Sequence, residues 1–111
     1  MPRLDLYTNR ELAAKIRLEG TSILVGRSSD CDVQIPNVWV SRHHARIEVD
    51  DTGGHTIEDL SANGTRLNCS MVERRTPLSP GDRIYIEDHV LIYRPDGAPS
   101  GVLEHETCIA A

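Results

Sequence analysis

Apolar residues recur along most of the chain with a period of two. Leu4 and Leu6, with Tyr7 beside them, begin the pattern, and Ile16 with Leu18, Ile23 to Val25, Val33 with Ile35, and Ile47 with Val49 continue it. Ile57, Leu67, Ile84 with Ile86, and Val90 to Tyr93 complete it. Alternation of this kind sets one side of each strand against a core and the other against water. Between the runs lie specific turn formers: SSDCD at 28–32, DDTGG at 50–54, SANGT at 61–65, SPGD at 79–82 and RPDG at 94–97. The pattern predicts an all-β sandwich or barrel of about 10 or 11 strands. One segment, NRELAAKIRLEG at 9–20, admits a helix capped by Asn9 and Gly20. The alternation through Lys15, Arg17 and Glu19 favours a strand there instead. After Pro95 the sequence DGAPSGVLEHETCIAA reads as a linker or tail. The chain therefore divides into a domain over 1–95 and a tail over 96–111, of the kind that leads to a further domain.

Charge and composition narrow the function class. The chain has 111 residues, 39% hydrophobic and 26% charged, which suits one soluble globular domain with a modest core. No apolar run approaches the roughly 20 residues that span a bilayer, and MPRLDLYTNR lacks the apolar centre of a signal peptide. A cytoplasmic location without membrane contact is expected. Cys31, Cys69 and Cys108 are odd in number and show no metal-type spacing, so free thiols in a reducing compartment are expected. A net charge of −5 opposes nucleic-acid binding, which needs a basic face. Yet of the 12 basic residues only Lys15 is a lysine. Arginine's planar fork captures oxyanions in bidentate fashion, so a local anion site on an acidic protein is allowed.

Candidate chemistry concentrates in VSRHHARIEV, Val40 to Val49. A metal site on His43 and His44 is opposed by strand geometry, because neighbouring side chains point to opposite faces. His55, His89 and His105 sit at no ligating spacing, and no metal or cofactor is expected. Ser41 as a nucleophile lacks a GxSxG elbow or an SxxK pair. The glycine of LVGRSSDCD is followed by no second glycine and lysine, so it forms no P-loop. What remains is an anion-capturing rim, and no enzymatic activity is expected.

Three motifs in register then carry a family resemblance. Gly26-Arg27 ends one strand, Ser41-Arg42-His43-His44-Ala45 precedes another, and Asp59-Leu60-Ser61-Ala62-Asn63-Gly64-Thr65 follows a third. With LSPGDRI at Leu78 to Ile84, the order resembles the forkhead-associated (FHA) domain from about Leu4 to Arg94. That family is a mostly antiparallel β-sandwich that binds phosphothreonine peptides through loops at one end. The resemblance implies phosphopeptide-binding roles for Arg27, Ser41, Arg42 and Asn63. It implies supporting roles for Gly26, His44, Gly64 and Thr65, with His43 at a variable position. Many members carry threonine where this chain has Ala62, which removes one contact worth about 0.5 to 1.5 kcal/mol and alters peptide preference. Trp39 lies on a loop that in the family helps select the third residue after the phosphothreonine, and an aliphatic residue is expected there.

The function implied is a phosphothreonine-reading adaptor in a Ser/Thr kinase pathway. The alternative is an FHA-like scaffold that assembles without phosphate. Phosphorylation of Thr107 or Thr8 would further allow self-association through the same site.

Overall fold

In the computed structural model, which describes residues 2–95, the chain forms eleven strands in two sheets. The six-stranded sheet runs in the order β2 (Glu11–Arg17), β1 (Arg3–Thr8), β11 (His89–Arg94), β10 (Arg83–Ile86), β7 (Arg66–Leu67) and β8 (Ser70–Met71). The five-stranded sheet runs β4 (Val33–Gln34), β3 (Ser22–Gly26), β5 (Ala45–Val49), β6 (His55–Asp59) and β9 (Thr76–Pro77). Every pairing is antiparallel except β3 with β4. Pro77 sits on an edge strand, where its missing N–H costs no ladder bond.

Inward-facing residues of both sheets, among them Leu4, Val25, Ile47, Ile57, Ile84 and Leu91, form one buried core. Within the segment 9–20, Glu11–Arg17 form strand β2 and no helix, as the alternation there indicates. β1 turns into β2 through the two-residue loop Asn9-Arg10, both at positive φ, as a type I′ hairpin requires.

Several expectations are corrected. Tyr7 does not continue the inner face begun by Leu4 and Leu6. It packs with Val90, Ile92 and Tyr85 in a second cluster on the other face of the sheet. Asp5 shares that face and is fully buried, held by Arg3 at 2.8 Å and Arg94 at 3.6 Å. β8 and β9 carry no apolar alternation and were not indicated by it. Cys31 is a free, half-buried thiol, whereas Cys69 stands in a disulfide, so the support that three free thiols lent to a reducing compartment is lost. Thr8 lies in β1 with its hydroxyl 3.0 Å from His89 Nδ1. Thr107 and the proposed tail lie outside the described residues.

The strand register explains where the loops meet. Val25 pairs with Ala45 and Ala45 with Asp59, so the end of β3, the start of β5 and the end of β6 lie at one edge of the sandwich. The loops after β3, before β5 and after β6 therefore emerge together.

At the far end of β6, His55 Nδ1 lies 2.6 Å from the Tyr93 hydroxyl inside the core. Burial holds the His55 pKa below its ordinary value, with Asp50 opposing in part. A depressed histidine pKa means that the unfolded chain binds more protons, so stability is retained above about pH 6.5 and falls as the pH drops below it. The urea midpoint is expected to decline between pH 7 and 5, and to decline less in His55→Gln. An equal decline in both proteins would remove His55 as the cause.

Candidate functional site

The edge where the loops emerge is fixed first by main chain. Arg27 N–H donates to Ser41 C=O at 3.0 Å, Ser28 N–H to Arg42 C=O at 3.1 Å, and His44 N–H to Val25 C=O at 2.7 Å. These bonds continue the β3–β5 ladder past its regular end and hold residues 27–28 against 41–42. Gly26 makes the approach possible. A Cβ there would collide with the Arg42 carbonyl and lie 3.0 Å from His44 N. Backbone meeting backbone leaves nothing flexible to yield, which is why glycine stands before Arg27.

His44 joins this edge to the third loop. Its ring is fully buried, with Nδ1 accepting from Ser41 N–H at 3.1 Å and Nε2 at 3.0 Å from Gly64 C=O. An acceptor at one nitrogen and a donor at the other define a neutral ring with its proton on Nε2. Leu60 N–H closes the same junction on His44 C=O at 2.9 Å.

The third loop is wound around one carboxylate oxygen. Asp59 Oδ1 accepts from Ser61 N–H at 3.0 Å, Ser61 Oγ at 2.6 Å and Thr65 Oγ1 at 2.8 Å. Ser61 Oγ in turn accepts from Gly64 N–H at 2.7 Å. Asp59 and Ser61 had no site role assigned from sequence, although an Asp two residues before a Ser is a signature of such side-chain-closed turns. Thr65 is buried beneath the loop. Gly64 takes φ +100°, whereas Asn63 does not take a positive φ, so the Asn-Gly pair is not a type I′ turn, which needs both residues left-handed. Asn63 instead reaches across with Nδ2 to Trp39 C=O at 3.2 Å.

The polar groups that this framework leaves outward lie on one rim. Ser41 Oγ accepts from Ala62 N–H at 3.1 Å, which leaves its own hydroxyl proton to donate. Exposed Arg27 is tethered through Nε to Val40 C=O at 3.0 Å, and its two terminal nitrogens have no partner among the described residues. Arg42 is exposed beside it. Neither nearby carboxylate forms an ion pair with Arg27 or Arg42 among the described residues: Asp59 Oδ1 accepts within its own turn, and Asp30 lies 3.1 Å from His43. Val38 and Trp39, 80% and 68% exposed, stand on the same loop as Ser41. His43 and His44, both before β5 begins, diverge: one is exposed and the other buried. Thus Arg27, Ser41, Arg42, Ala62 and Asn63 lie on the connected loops, with Gly26, His44, Gly64 and Thr65 beneath them.

Such a rim offers several unspent donors to an anion, with the hydroxyl and guanidinium positioned by buried groups. The FHA-domain family model matches residues 23–87, which contain the whole rim. The chain belongs to the FHA-domain family. FHA domains are phosphothreonine-peptide-binding modules and not catalytic domains. This FHA domain is 42% identical over 74 residues to mouse E3 ubiquitin-protein ligase CHFR, covering 63% of this chain and 10% of that protein. It is 33% identical over 85 residues to the Mycobacterium tuberculosis transcriptional regulatory protein EmbR, covering 76% of this chain and 22% of that one. The chain thus spans a small part of the curated relatives' length.

Solved structures agree on the fold. EmbR in complex with a low-affinity phosphopeptide superposes with a TM-score of 0.77 at 28% identity, covering 89% of this chain and 26% of that one. A structure from work on phosphothreonine-dependent FHA domain interactions gives 0.74 at 28% identity, covering 86% and 99%.

Proposed function

We propose that this FHA domain binds phosphothreonine peptides and acts as an adaptor that reads the output of a Ser/Thr kinase. Arg27, Ser41 and Arg42 take the phosphate, and Asn63 the peptide main chain. The observation that carries this reading is the state of Ser41. Its amide is fixed by buried His44 and its oxygen already accepts from Ala62, so its proton is directed to a ligand. Asn63 supports it likewise: Nδ2 is spent on Trp39, and its carboxamide oxygen, with no partner among the described residues, is left to accept a peptide N–H.

A phosphate with nearly two negative charges gains about 1.5 to 3 kcal/mol from each charge-assisted bond before peptide ordering offsets much of it. Micromolar affinity is expected. Titration with matched peptide pools tests the proposal. The phosphothreonine pool should bind, the unphosphorylated pool should not, and affinity should fall as salt rises. Phosphoserine lacks a methyl whose burial is worth about 0.8 kcal/mol, so its pool should bind about fourfold more weakly. Equal binding of phosphorylated and unphosphorylated pools would instead favour the phosphate-independent scaffold.

A further inference from the structure

Beside the rim lies a second cluster of a different chemistry. Asp30 and Cys31 sit on the β3–β4 loop and His43 on the β4–β5 loop, and their carboxylate, thiol and imidazole atoms all lie within 4.8 Å of one another. His43 Nε2 stands 3.2 and 3.1 Å from the two Asp30 oxygens. Cys31 Sγ is 3.2 Å from Arg42 C=O, next in sequence to His43. We infer that Asp30, Cys31 and His43 form a binding site for a zinc-like divalent cation that ties the two loops together.

The donor set selects the metal. A thiolate, an imidazole and a carboxylate form a borderline-soft trio suited to Zn²⁺, with water completing a tetrahedron. Arms of about 2.0 to 2.3 Å put neighbouring ligand atoms roughly 3.3 to 3.7 Å apart. The Asp30–His43 edge already approaches that spacing, and the thiol needs to close by roughly 1 Å. Exposure of Asp30 and His43 gives the ion a path in and room for the water.

The surroundings leave these three groups available. Asp32, the other nearby acid, is spent on Leu24 N–H at 2.8 Å. Hydrogen bonds from Ser28 and His43 hold the Asp30 carboxyl below the usual range, so it is an anion at neutral pH. Burial, with Asp30 and Asp32, keeps Cys31 as a thiol. Metal uptake therefore releases the thiol proton with its bond to Arg42 C=O, and His43 binds through Nε2 as the tautomer that carries its proton on Nδ1, exchanging its hydrogen bond to Asp30 for the shared ion. The consequence lies on the binding rim, since Asp30 and Cys31 follow Arg27 on one loop and His43 follows Ser41 and Arg42 on the other. Nothing in this inference depends on which ligand that rim takes.

The test uses the full 111-residue chain with Co²⁺ and Zn²⁺. One equivalent of Co²⁺ should give a thiolate-to-metal absorption band, lost in Cys31→Ser and kept in the Cys69→Ser/Cys108→Ser double variant. Competition with a chromogenic chelator should show Zn²⁺ affinity falling at least about tenfold in Asp30→Asn and in His43→Ala, because even groups that only orient a ligand are worth that much. Zn²⁺ should raise the thermal midpoint of the wild type and not that of Cys31→Ser. Survival of the band in Cys31→Ser, or failure to retain one equivalent of ion against the chelator, overturns the proposal.

Discussion

Alanine at His44 is expected to lower the stability of the domain by about 3 kcal/mol and to abolish phosphothreonine-peptide binding, although His44 touches no ligand. The substitution removes an acceptor from Ser41 N–H and a partner from Gly64 C=O, both at a fully buried ring. Each unsatisfied buried group costs about 1 to 3 kcal/mol. The vacated space adds a cavity cost, and a water bridging the two orphaned groups would recover part of the total. In a domain of this size the thermal midpoint should fall by about 10 to 20 °C.

Binding fails for a separate reason. Ser41 and the loop closed on Asp59 are joined through this ring, so both lose their relative position. Two variants divide the bonds. Asn places an oxygen where Nδ1 stands and should keep the Ser41 contact, whereas Gln reaches the Nε2 position and should keep the Gly64 contact. Each should therefore be more stable than alanine. Urea denaturation of the three variants measures this, and a loss below 1 kcal/mol in His44→Ala would show that the ring is not the brace.

The strands and the rim differ in how legible they were. Period two showed most strands because a face buried on a core demands it, as along Ile23 to Val25 and Ile84 to Ile86. It failed where pairing rather than burial makes the strand. Ser70 and Met71 are both exposed, and β8 exists only because it pairs with β7. It also misassigned Tyr7, since β1 is covered on both faces and a buried Asp5 reads in sequence as a solvent position.

At the rim, motif spacing located Gly26 to Ser41 and Asp59 to Thr65, but not what they do to one another. That Gly26 faces the Arg42 carbonyl, or that Asn63 reaches Trp39, depends on pairings between residues 16 and 24 positions apart. The same holds for Asp30, Cys31 and His43. Asp30 and His43 stand 13 positions apart, a spacing that matches no ligating pattern, and only the β3–β5 register brings them together.

Alanine at Arg27 should have the opposite profile to alanine at His44: affinity for phosphothreonine peptide falls about a hundredfold while the thermal midpoint moves by only a few degrees. The stability side follows from exposure. Arg27 gives the fold one side-chain bond, Nε to Val40 C=O, worth about 1 kcal/mol, and the main-chain bond to Ser41 C=O survives the substitution. The binding side follows from geometry. That Nε bond orients the guanidinium without using its terminal nitrogens, so the fork meets phosphate with little ordering left to do. Losing one or two charge-assisted bonds at about 1.5 to 3 kcal/mol each brackets the hundredfold figure. Lysine restores the charge but neither the fork nor the tether to Val40, and should recover only part of the affinity. Salt separates charge from shape: Arg27→Lys should keep the wild-type slope of affinity against ionic strength, and Arg27→Ala should flatten it. If Arg27→Ala bound within threefold of wild type with an unchanged salt slope, the phosphate would have to sit elsewhere on the rim, with Arg42 and Ser41 as its remaining donors.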